Sequence, residues 1–244
     1  MLLVIFSLAS ILMVTGTIWF LFPFALRKIA EKQLETRCRE TRSIVLSYDD
    51  GPGSDLTHKL LDELADENIL ASFFVLGKNA EGKAETVRRL MAAGHDVGSH
   101  TFLHTNAWKA TPWVVNRDIV AGISVVQLGG GHSRLFRPPF GKMTLANLYL
   151  CKRLGLQVVW WTVDSRDSWN RRPINDVLSE IEAKGGGVVL MHDFDDYVKA
   201  PQNPRHADHV ISLTREIIAF AKRGNYRIVP YSSLGGENAG RVRI

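Results

Sequence analysis

The feature that most constrains the fold is a regular alternation of short β-type runs with amphipathic helical runs from Ser43 onward. Alternation of this kind predicts parallel strands joined by helical crossovers. We therefore expect an α/β fold, a distorted (β/α)7-type barrel that is closed or nearly closed, with a doubly wound open sheet as the alternative. The predicted strands are Ser43–Tyr48, Ala71–Leu76, His95–Gly98, Arg134–Arg137, Gln157–Val163, Gly187–His192 and Tyr226–Pro230.

The first 26 residues carry no charged side chain. The 21 residues from Leu2 to Phe22 are almost wholly apolar and as a helix would extend about 31 Å, enough to cross a bilayer. A cleaved signal peptide is the alternative, but the basic amino-terminal region and the small-residue cleavage site of such peptides are not evident. We therefore expect a single-pass transmembrane anchor over residues 1–26, which would place the protein at the cell membrane.

Six basic residues lie between positions 27 and 42, offset by only three glutamates. Because basic residues next to a membrane span favour the cytoplasmic side, this asymmetry predicts a main domain that faces the cytoplasm. A solvated stalk on an exported protein is the alternative. We expect a basic juxtamembrane linker over residues 27–42, able to touch anionic lipid headgroups, and a single domain over residues 43–244.

Composition excludes several other classes of protein. With 45% hydrophobic and 23% charged residues, the chain is neither disordered nor collagen-like. Its two cysteines are too few for a disulfide scaffold or a cysteine zinc cluster. The net charge of +5 comes without a basic patch interleaved with aromatic residues, so no nucleic-acid partner is expected.

Polar side chains suited to catalysis lie where the predicted strands end. In a barrel of parallel strands all carboxyl ends open on one face, so such segments converge. This convergence predicts a single active site. The segments concerned are Tyr48–Gly53, Ser99–His104, Arg137–Gly141, Asp164–Trp169 and Leu190–Asp193.

His100 and His104 are four residues apart and can face the same way on a compact turn. With one carboxylate from the adjacent pair Asp49 and Asp50, they would form a three-ligand metal site that leaves positions open for water and substrate. Neighbouring side chains on a tight turn diverge, so one acid can bind a cation while the other acts as a base. For His100 and His104 the alternative is a pair of structural or surface histidines. For the two acids the alternative is a plain turn.

Arg137 and His192 extend this constellation. Arg137 would relieve the cost of placing two acids after a buried strand, although a simple strand-end salt bridge is the alternative. His192 is a candidate general acid because its unperturbed pKa lies near neutral pH; a satisfied core histidine is the alternative. Asp167 or Asp164 would orient it, unless they cap a helix. The remaining histidines have no comparable partners in the sequence: His58, His95, His132, His206 and His209.

In order, these segments resemble the motifs of the polysaccharide deacetylase family, also called the NodB homology domain or carbohydrate esterase family four. The resemblance extends over roughly residues 43–230 and implies a distorted or incomplete barrel. One motif departs from the family pattern, because Ser168 separates Asp167 from Trp169. The matching motifs are Ser47-Tyr48-Asp49-Asp50-Gly51-Pro52, His100-Thr101-Phe102-Leu103-His104, Arg137-Pro138-Pro139-Phe140-Gly141 and Leu190-Met191-His192.

The resemblance implies roles for the acids and histidines of the first two motifs. Asp49 would be the general base, and Asp50, His100 and His104 would hold a divalent metal ion. That metal is most often zinc, and in some members cobalt, nickel or manganese. Arg137 would pair with the base.

The resemblance also implies how the reaction is completed. The backbone N–H of Phe140 would stabilise the oxyanion, and His192 would act as the acid with Asp167 as its partner. The implied function is metal-dependent hydrolysis of an N-acetyl or other N-acyl group on an amino-sugar-containing glycan. Two alternatives stay open: a deacetylase or deformylase of a lipid-linked sugar at the membrane surface, and a non-catalytic, membrane-anchored glycan-binding protein.

Overall fold

The computed structural model describes the backbone of residues 2–129, 134–195 and 206–234, and side chains from residue 15 onward. His132 lies outside the described residues. The helices are α1 (Leu2–Thr41), α2 (Leu56–Asp66), α3 (Gly77–Ala80), α4 (Ala84–Ala92), α5 (Pro112–Leu128), α6 (Leu145–Arg153), α7 (Ile174–Lys184) and α8 (His206–Gly224). The strands are β1 (Ser43–Asp49), β2 (Ser72–Val75), β3 (Asp96–Ser99), β4 (Leu135–Phe136), β5 (Gln157–Val158), β6 (Val163–Asp164), β7 (Gly187–His192) and β8 (Arg227–Ile228).

The strands form one parallel sheet with the order β5-β4-β3-β2-β1-β7-β6, and β8 pairs with the first residues of β1. The register aligns the carboxyl ends of the central strands. Asp49 lies opposite His192 across the β1–β7 pair, and Ser99 lies opposite Phe136 across the β3–β4 pair. The polar segments that follow these strands therefore open on the same edge of the sheet, as the sequence predicts.

The predicted strand Gln157–Val163 is divided into β5 and β6, which form the two edges of the sheet. Just beyond β5, the Val159 N–H donates to Phe136 O beside β4; just before β6, the Thr162 N–H donates to Val188 O on β7. Four residues join the two edges, and an extended chain of that length reaches only about 13 Å. The sheet is therefore curled with its edges brought together, which agrees with the expected distorted barrel and excludes the open, doubly wound sheet.

Burial follows the hydrophobic pattern of the sequence. Every residue of β1 is buried, as expected for a parallel strand covered on both faces. The apolar face of α2 is buried through its leucines, which pack into the main core with residues of α8.

Cys38 and Cys151 are buried free thiols. Burial raises the pKa of both thiols to about 12, so neither is poised as a nucleophile.

Helix α1 extends to Thr41 and so includes nearly all of residues 27–42, where a linker is predicted. Leu34 and Cys38 on this part of α1 are buried in a core cluster with Val45 and Val188 of the sheet. The basic segment is therefore a helix packed on the domain and not an extended tether.

In the described part of the chain, no helix combines the length and apolar character needed to cross a bilayer. The anchor over residues 1–26 stays a prediction.

Candidate active site and metal centre

The carboxyl ends of the strands surround a cavity of about 820 Å³. Residues from the segments after β1, β3, β4, β6 and β7 line it, so the structure brings together side chains that are up to about 140 residues apart in the sequence. Its walls mix acids, histidines and aromatic rings. Its lining includes Asp49, Asp50, His100, His104, Phe140, Lys142, Trp161, Asp164, Trp169 and His192.

Asp49 and Asp50 separate at the end of β1. Asp49 is the last residue of that buried strand and is only 2% exposed. Asp50 has φ 69°, in the left-handed region that non-glycine residues rarely adopt. Its carbonyl accepts a hydrogen bond from Asn79 Nδ2 at 2.7 Å, which helps to hold this strained turn. Because the backbone turns sharply between them, the two carboxylates have different partners.

The Asp50 carboxylate faces both histidines of the second motif. Its Oδ1 lies 3.5 Å from His100 Nε2 and 3.4 Å from His104 Nε2. One ligand atom from each of the three residues lies within 4.8 Å of the other two. Ligand atoms bound about 2.1 Å from a tetrahedral ion are about 3.4 Å apart, so this donor set fits a divalent metal such as zinc.

The two imidazoles are placed to bind a metal through Nε2. His100 Nδ1–H donates to the backbone carbonyl of Arg137 at 2.7 Å, which fixes the ring with Nε2 facing Asp50. Burial lowers the pKa of His104 to about 4, an effect that the charge of Asp50 only partly opposes. The His104 imidazole is therefore neutral near pH 7.

Asp49 is held by a buried arginine. Arg137 Nη1 donates to Asp49 Oδ1 at 2.7 Å, and both side chains are almost completely buried. The guanidinium also lies 4.0 Å from the centre of the Phe74 ring. The second carboxylate oxygen, Oδ2, lies 3.7 Å from His100 Nε2, so Asp49 borders the Asp50–His100–His104 donor set without being part of it.

His192 lies at the end of β7 and is paired with Asp167. Its Nδ1 is 2.8 Å from Asp167 Oδ1, and its backbone N–H donates to Asp167 Oδ2 at 2.8 Å. The Ser165 hydroxyl also donates to Asp167 Oδ1, at 3.0 Å. Asp164, the other candidate partner, instead accepts the Arg166 N–H at 2.9 Å. The inserted Ser168 thus leaves the Asp167–His192 pair intact.

The charge of Asp167 is the largest of the effects that raise the pKa of His192. Burial lowers the pKa of His192, but the charge and hydrogen bond of Asp167, with the charges of Asp50 and Asp49, raise it to about 10. Burial likewise acts to raise the pKa of Asp167, but the charge and hydrogen bond of His192 leave it below its usual value. The pair is an imidazolium–carboxylate pair at neutral pH, suited to donate a proton from Nε2.

Phe140 forms part of the rim of the cavity. It has φ 58°, in the left-handed region, and its ring is half exposed with its centre 4.5 Å from that of His104. The turn is closed by hydrogen bonds from the Gly141 and Lys142 N–H groups to the carbonyls of Pro138 and Pro139. The residue that the family resemblance assigns to the oxyanion site therefore lies beside His104 of the donor set.

Sequence reasoning missed the groups that support these residues. His206, at the start of α8, places Nε2 3.2 Å from His192 O and 3.9 Å from Asp167 Oδ2. Asp193 accepts a hydrogen bond from the Thr57 hydroxyl at 2.7 Å, and burial raises the pKa of Asp193 to about 7. No periodicity or motif predicts the contact of His206, because its partners lie far away in the sequence. Asp193, in contrast, belongs to the predicted segment Leu190–Asp193, although the sequence assigns it no role.

The metal centre yields a first prediction. We expect His100→Ala to bind divalent metal at least about tenfold more weakly, since a lost ligand costs no less than the loss of an outer-shell partner. Metal content after gel filtration, measured by elemental analysis, checks this. His58→Ala is the matched control, because His58 contacts Arg89 and Thr86 instead of the cavity. Equal metal content in the two variants would remove His100 from the ligand set.

Comparisons with known proteins place the chain in a family. Residues 36–159 match the family model described as polysaccharide deacetylase. The chain is 33% identical over 157 residues to a chitooligosaccharide deacetylase of Bradyrhizobium sp. (strain ANU 289), an alignment that covers 63% of this chain and 71% of the relative. It is 31% identical over 204 residues to the peptidoglycan-N-acetylglucosamine deacetylase PgdA of Listeria monocytogenes serotype 1/2a, covering 82% of this chain but only 40% of that longer protein.

A solved structure shows the same fold. The Bc1960 peptidoglycan N-acetylglucosamine deacetylase superposes with a TM-score of 0.69 at 25% sequence identity, over 83% of this chain and 92% of that one. The family model covers just over half of the chain, and the matched region includes three of the motifs that converge at the cavity. The protein is therefore a member of the polysaccharide deacetylase family and, by class, a carbohydrate deacetylase.

Proposed function

We propose that this protein hydrolyses the N-acetyl group of an amino sugar in a glycan, which makes it a hydrolase of linear amides. One observation carries the proposal. A single cavity holds a three-residue donor set for a cation, an arginine-held carboxylate beside it and a charged histidine–aspartate pair. Amide hydrolysis needs these three elements: an activated water, a base to deprotonate it and an acid to protonate the leaving nitrogen.

In the proposed reaction Asp49 takes a proton from the attacking water, whose oxygen bonds to the acyl carbon. A divalent cation held by Asp50, His100 and His104 would polarise the acyl carbonyl and make the water more acidic. The Phe140 N–H donates a hydrogen bond to the carbonyl oxygen as that atom gains negative charge.

The tetrahedral intermediate then collapses with cleavage of the C–N bond. Protonated His192 transfers its proton to the departing nitrogen, and Asp167 stabilises the imidazolium until that step. Without protonation the nitrogen would leave as an amide anion, which is a poor leaving group. The products are acetate and the free amine of the sugar.

The lining of the cavity supports a sugar substrate. Trp169 is 66% exposed and Phe140 is 51% exposed, and both line the cavity. Exposed aromatic faces beside polar groups suit the alternating apolar and hydroxyl faces of a sugar ring. The names of the two relatives, a chitooligosaccharide deacetylase and a peptidoglycan-N-acetylglucosamine deacetylase, support N-acetylglucosamine as the sugar.

For the metal we propose zinc, given two imidazoles and one carboxylate, with cobalt, nickel and manganese as alternatives.

The experiment is acetate release by purified, zinc-loaded protein from chitin oligomers and peptidoglycan fragments. We expect acetate from at least one of these polymers and none after chelation. Binding of the oligomers without acetate release, by protein that contains stoichiometric metal, would contradict the proposal. That outcome would favour the alternative of a non-catalytic glycan-binding protein.

A lipid-linked amino sugar, deacetylated or deformylated at the membrane surface, is the second candidate. One observation favours it: α1 passes beside the cavity. Phe20 of α1 makes an edge contact with Trp108, with ring centres 6.0 Å apart, and Lys142, which lines the cavity, lies 5.0 Å from the Trp108 ring centre. The same assay distinguishes the candidates, because an enzyme of this kind should act on a polyprenyl-phosphate-linked amino sugar and ignore the polymers.

We further propose attachment to the cell membrane through residues 1–26, with the domain on the cytoplasmic face. The proposal rests on the apolar run and on the basic residues after it. Both native cysteines are buried, so Glu216→Cys on the exposed face of α8 would be the accessible thiol to report the side. Labelling in intact cells by a membrane-impermeant maleimide would contradict a cytoplasmic domain.

A further inference from the structure

Helix α1 contacts the loop that carries Phe140. Arg27 on α1 donates from Nη1 to the backbone carbonyl of Gly141 at 2.6 Å, across 114 residues of sequence. Arg27 is not part of any motif described above, and the segment that contains it is predicted only as a basic linker. The contact therefore gives this segment a place beside the proposed oxyanion site.

The loop that Arg27 contacts has an unfavourable backbone conformation. Phe140 and Gly141 are consecutive residues in the left-handed region, with φ 58° and 62°. Glycine tolerates this conformation, but phenylalanine adopts it at an energetic cost and returns to the right-handed region unless other contacts oppose the change. A side chain at Gly141 would collide with the Arg27 guanidinium, which shows how closely the two segments pack.

Arg27 is itself held in one orientation. Its Nε donates to Glu31 Oε1 at 2.5 Å, one helical turn further along α1. The guanidinium lies 4.7 Å from the ring centre of Trp161 and 5.2 Å from that of Trp160, within the range of cation–π attraction. Only 15% of the side chain is exposed. An arginine so restricted loses little further freedom by holding the carbonyl.

We propose that Arg27 is a positioning residue for the reaction: its hydrogen bond to Gly141 O keeps the Phe140–Gly141 turn left-handed and so keeps the Phe140 N–H directed at the acyl oxygen. The inference rests on the proposed function. It makes residues 27–41 of α1 a part of the active-site architecture. Oxyanion stabilisation depends on donors that are already in place before the charge develops, so a loosened turn slows the reaction more than it weakens substrate binding.

The test compares Arg27→Gln with Arg39→Gln. Arg39 is a matched control because it lies on the same helix and also bonds a glutamate and a backbone carbonyl, Glu35 and Lys184 O, away from the cavity. For Arg27→Gln we expect kcat to fall by roughly tenfold or more with KM nearly unchanged, and for Arg39→Gln neither to change. The full loss of one oxyanion donor costs about 100-fold or more, so a misdirected donor costs less.

Two further measurements separate positioning from a general loss of structure. Arg27→Lys can satisfy one of the two acceptors and should recover part of kcat. An N-trifluoroacetyl substrate has a more reactive carbonyl and depends less on oxyanion stabilisation, so its kcat should fall less than that of the N-acetyl substrate. Equal losses on both substrates, or a change in KM alone, would overturn the proposal.

Hydrogen exchange of the Gly141 and Lys142 amides, whose hydrogen bonds close the turn at Phe140, tests the proposal without activity. We expect faster exchange in Arg27→Gln than in wild type and no change in Arg39→Gln. Unchanged exchange in Arg27→Gln would overturn the positioning role. If the wild-type protein released no acetate, the proposed function would fail, while this exchange measurement would still report whether Arg27 holds the turn.

Discussion

Asp49→Asn is expected to reduce turnover at least about a hundredfold while the protein retains its metal. The loss follows from removing the base, for which a hundredfold effect is the low end of the usual range. Metal is retained because the donor set consists of Asp50, His100 and His104. The asparagine carbonyl can still accept the hydrogen bond of Arg137, so the geometry at the end of β1 is kept. Turnover and metal content, measured on one preparation, check both parts of this result.

Asp50→Asn is the comparison variant for Asp49→Asn. The two acids are adjacent, but Asp50 Oδ1 faces both imidazoles, so its replacement should lower metal content and turnover together. The fully buried Arg137 loses its counter-ion in Asp49→Asn, and thermal unfolding should show a less stable protein. Retained metal demonstrates that the site is still assembled in spite of that cost. Near-wild-type turnover with metal bound would show that Asp49 is not the base.

The end of β1 illustrates what the sequence predicts well. Hydrophobic periodicity locates the buried strand, and the polar run after it must then emerge at the carboxyl edge of a parallel sheet. The same reasoning applies to His100, just after β3, and to His192, at the end of β7, so the converging residues were predictable from strand ends alone. Which of the two acids faces the imidazoles was not, because that depends on the left-handed φ of Asp50. The family resemblance supplied this assignment.

The segment from Gln157 to Val163 illustrates what local patterns miss. It reads as one β-type run, and its division into two strands at opposite edges is a property of the closing sheet. The supporting contacts of His206 and Arg27 are likewise tertiary: each joins elements that no spacing rule connects. Charge alone predicts a linker over residues 27–42, whereas the burial of Leu34 and Cys38 keeps residues 27–41 helical against the domain.

Replacement of His192 by asparagine is expected to reduce turnover by a factor of about 100 to 10,000, the range for a lost general acid. The asparagine side chain can keep a hydrogen bond to Asp167 but cannot supply a proton to the leaving nitrogen. A substrate with a better leaving group, such as an N-acetylated aniline, needs that proton less and should lose less. Steady-state kinetics on both substrates check the assignment, and equal losses on both would contradict it.

Asp167→Asn tests how His192 is kept protonated. Burial lowers the pKa of His192, and the charge of Asp167 is the largest effect that raises it. Removing that charge therefore lowers the pKa of His192. Asp49 and Asp50 raise this pKa less, and a cation bound beside them would already offset their charges. Because an acid catalyst is active only while protonated, turnover is lost as pH rises through this pKa, and the alkaline limb of the pH–kcat profile should move to lower pH.

Asp164→Asn is the matched control for this shift. Asp164 also lines the cavity, but its carboxylate accepts the Arg166 N–H, whereas the His192 ring nitrogen Nδ1 is paired with Asp167. We therefore expect a clearly smaller displacement of the alkaline limb in Asp164→Asn than in Asp167→Asn. If both variants moved the limb equally, the effect would arise from the net charge of the cavity. The hydrogen bond between Asp167 and His192 would then not be its cause. A shift confined to Asp167→Asn would instead identify the proton that limits turnover at high pH as the one on His192.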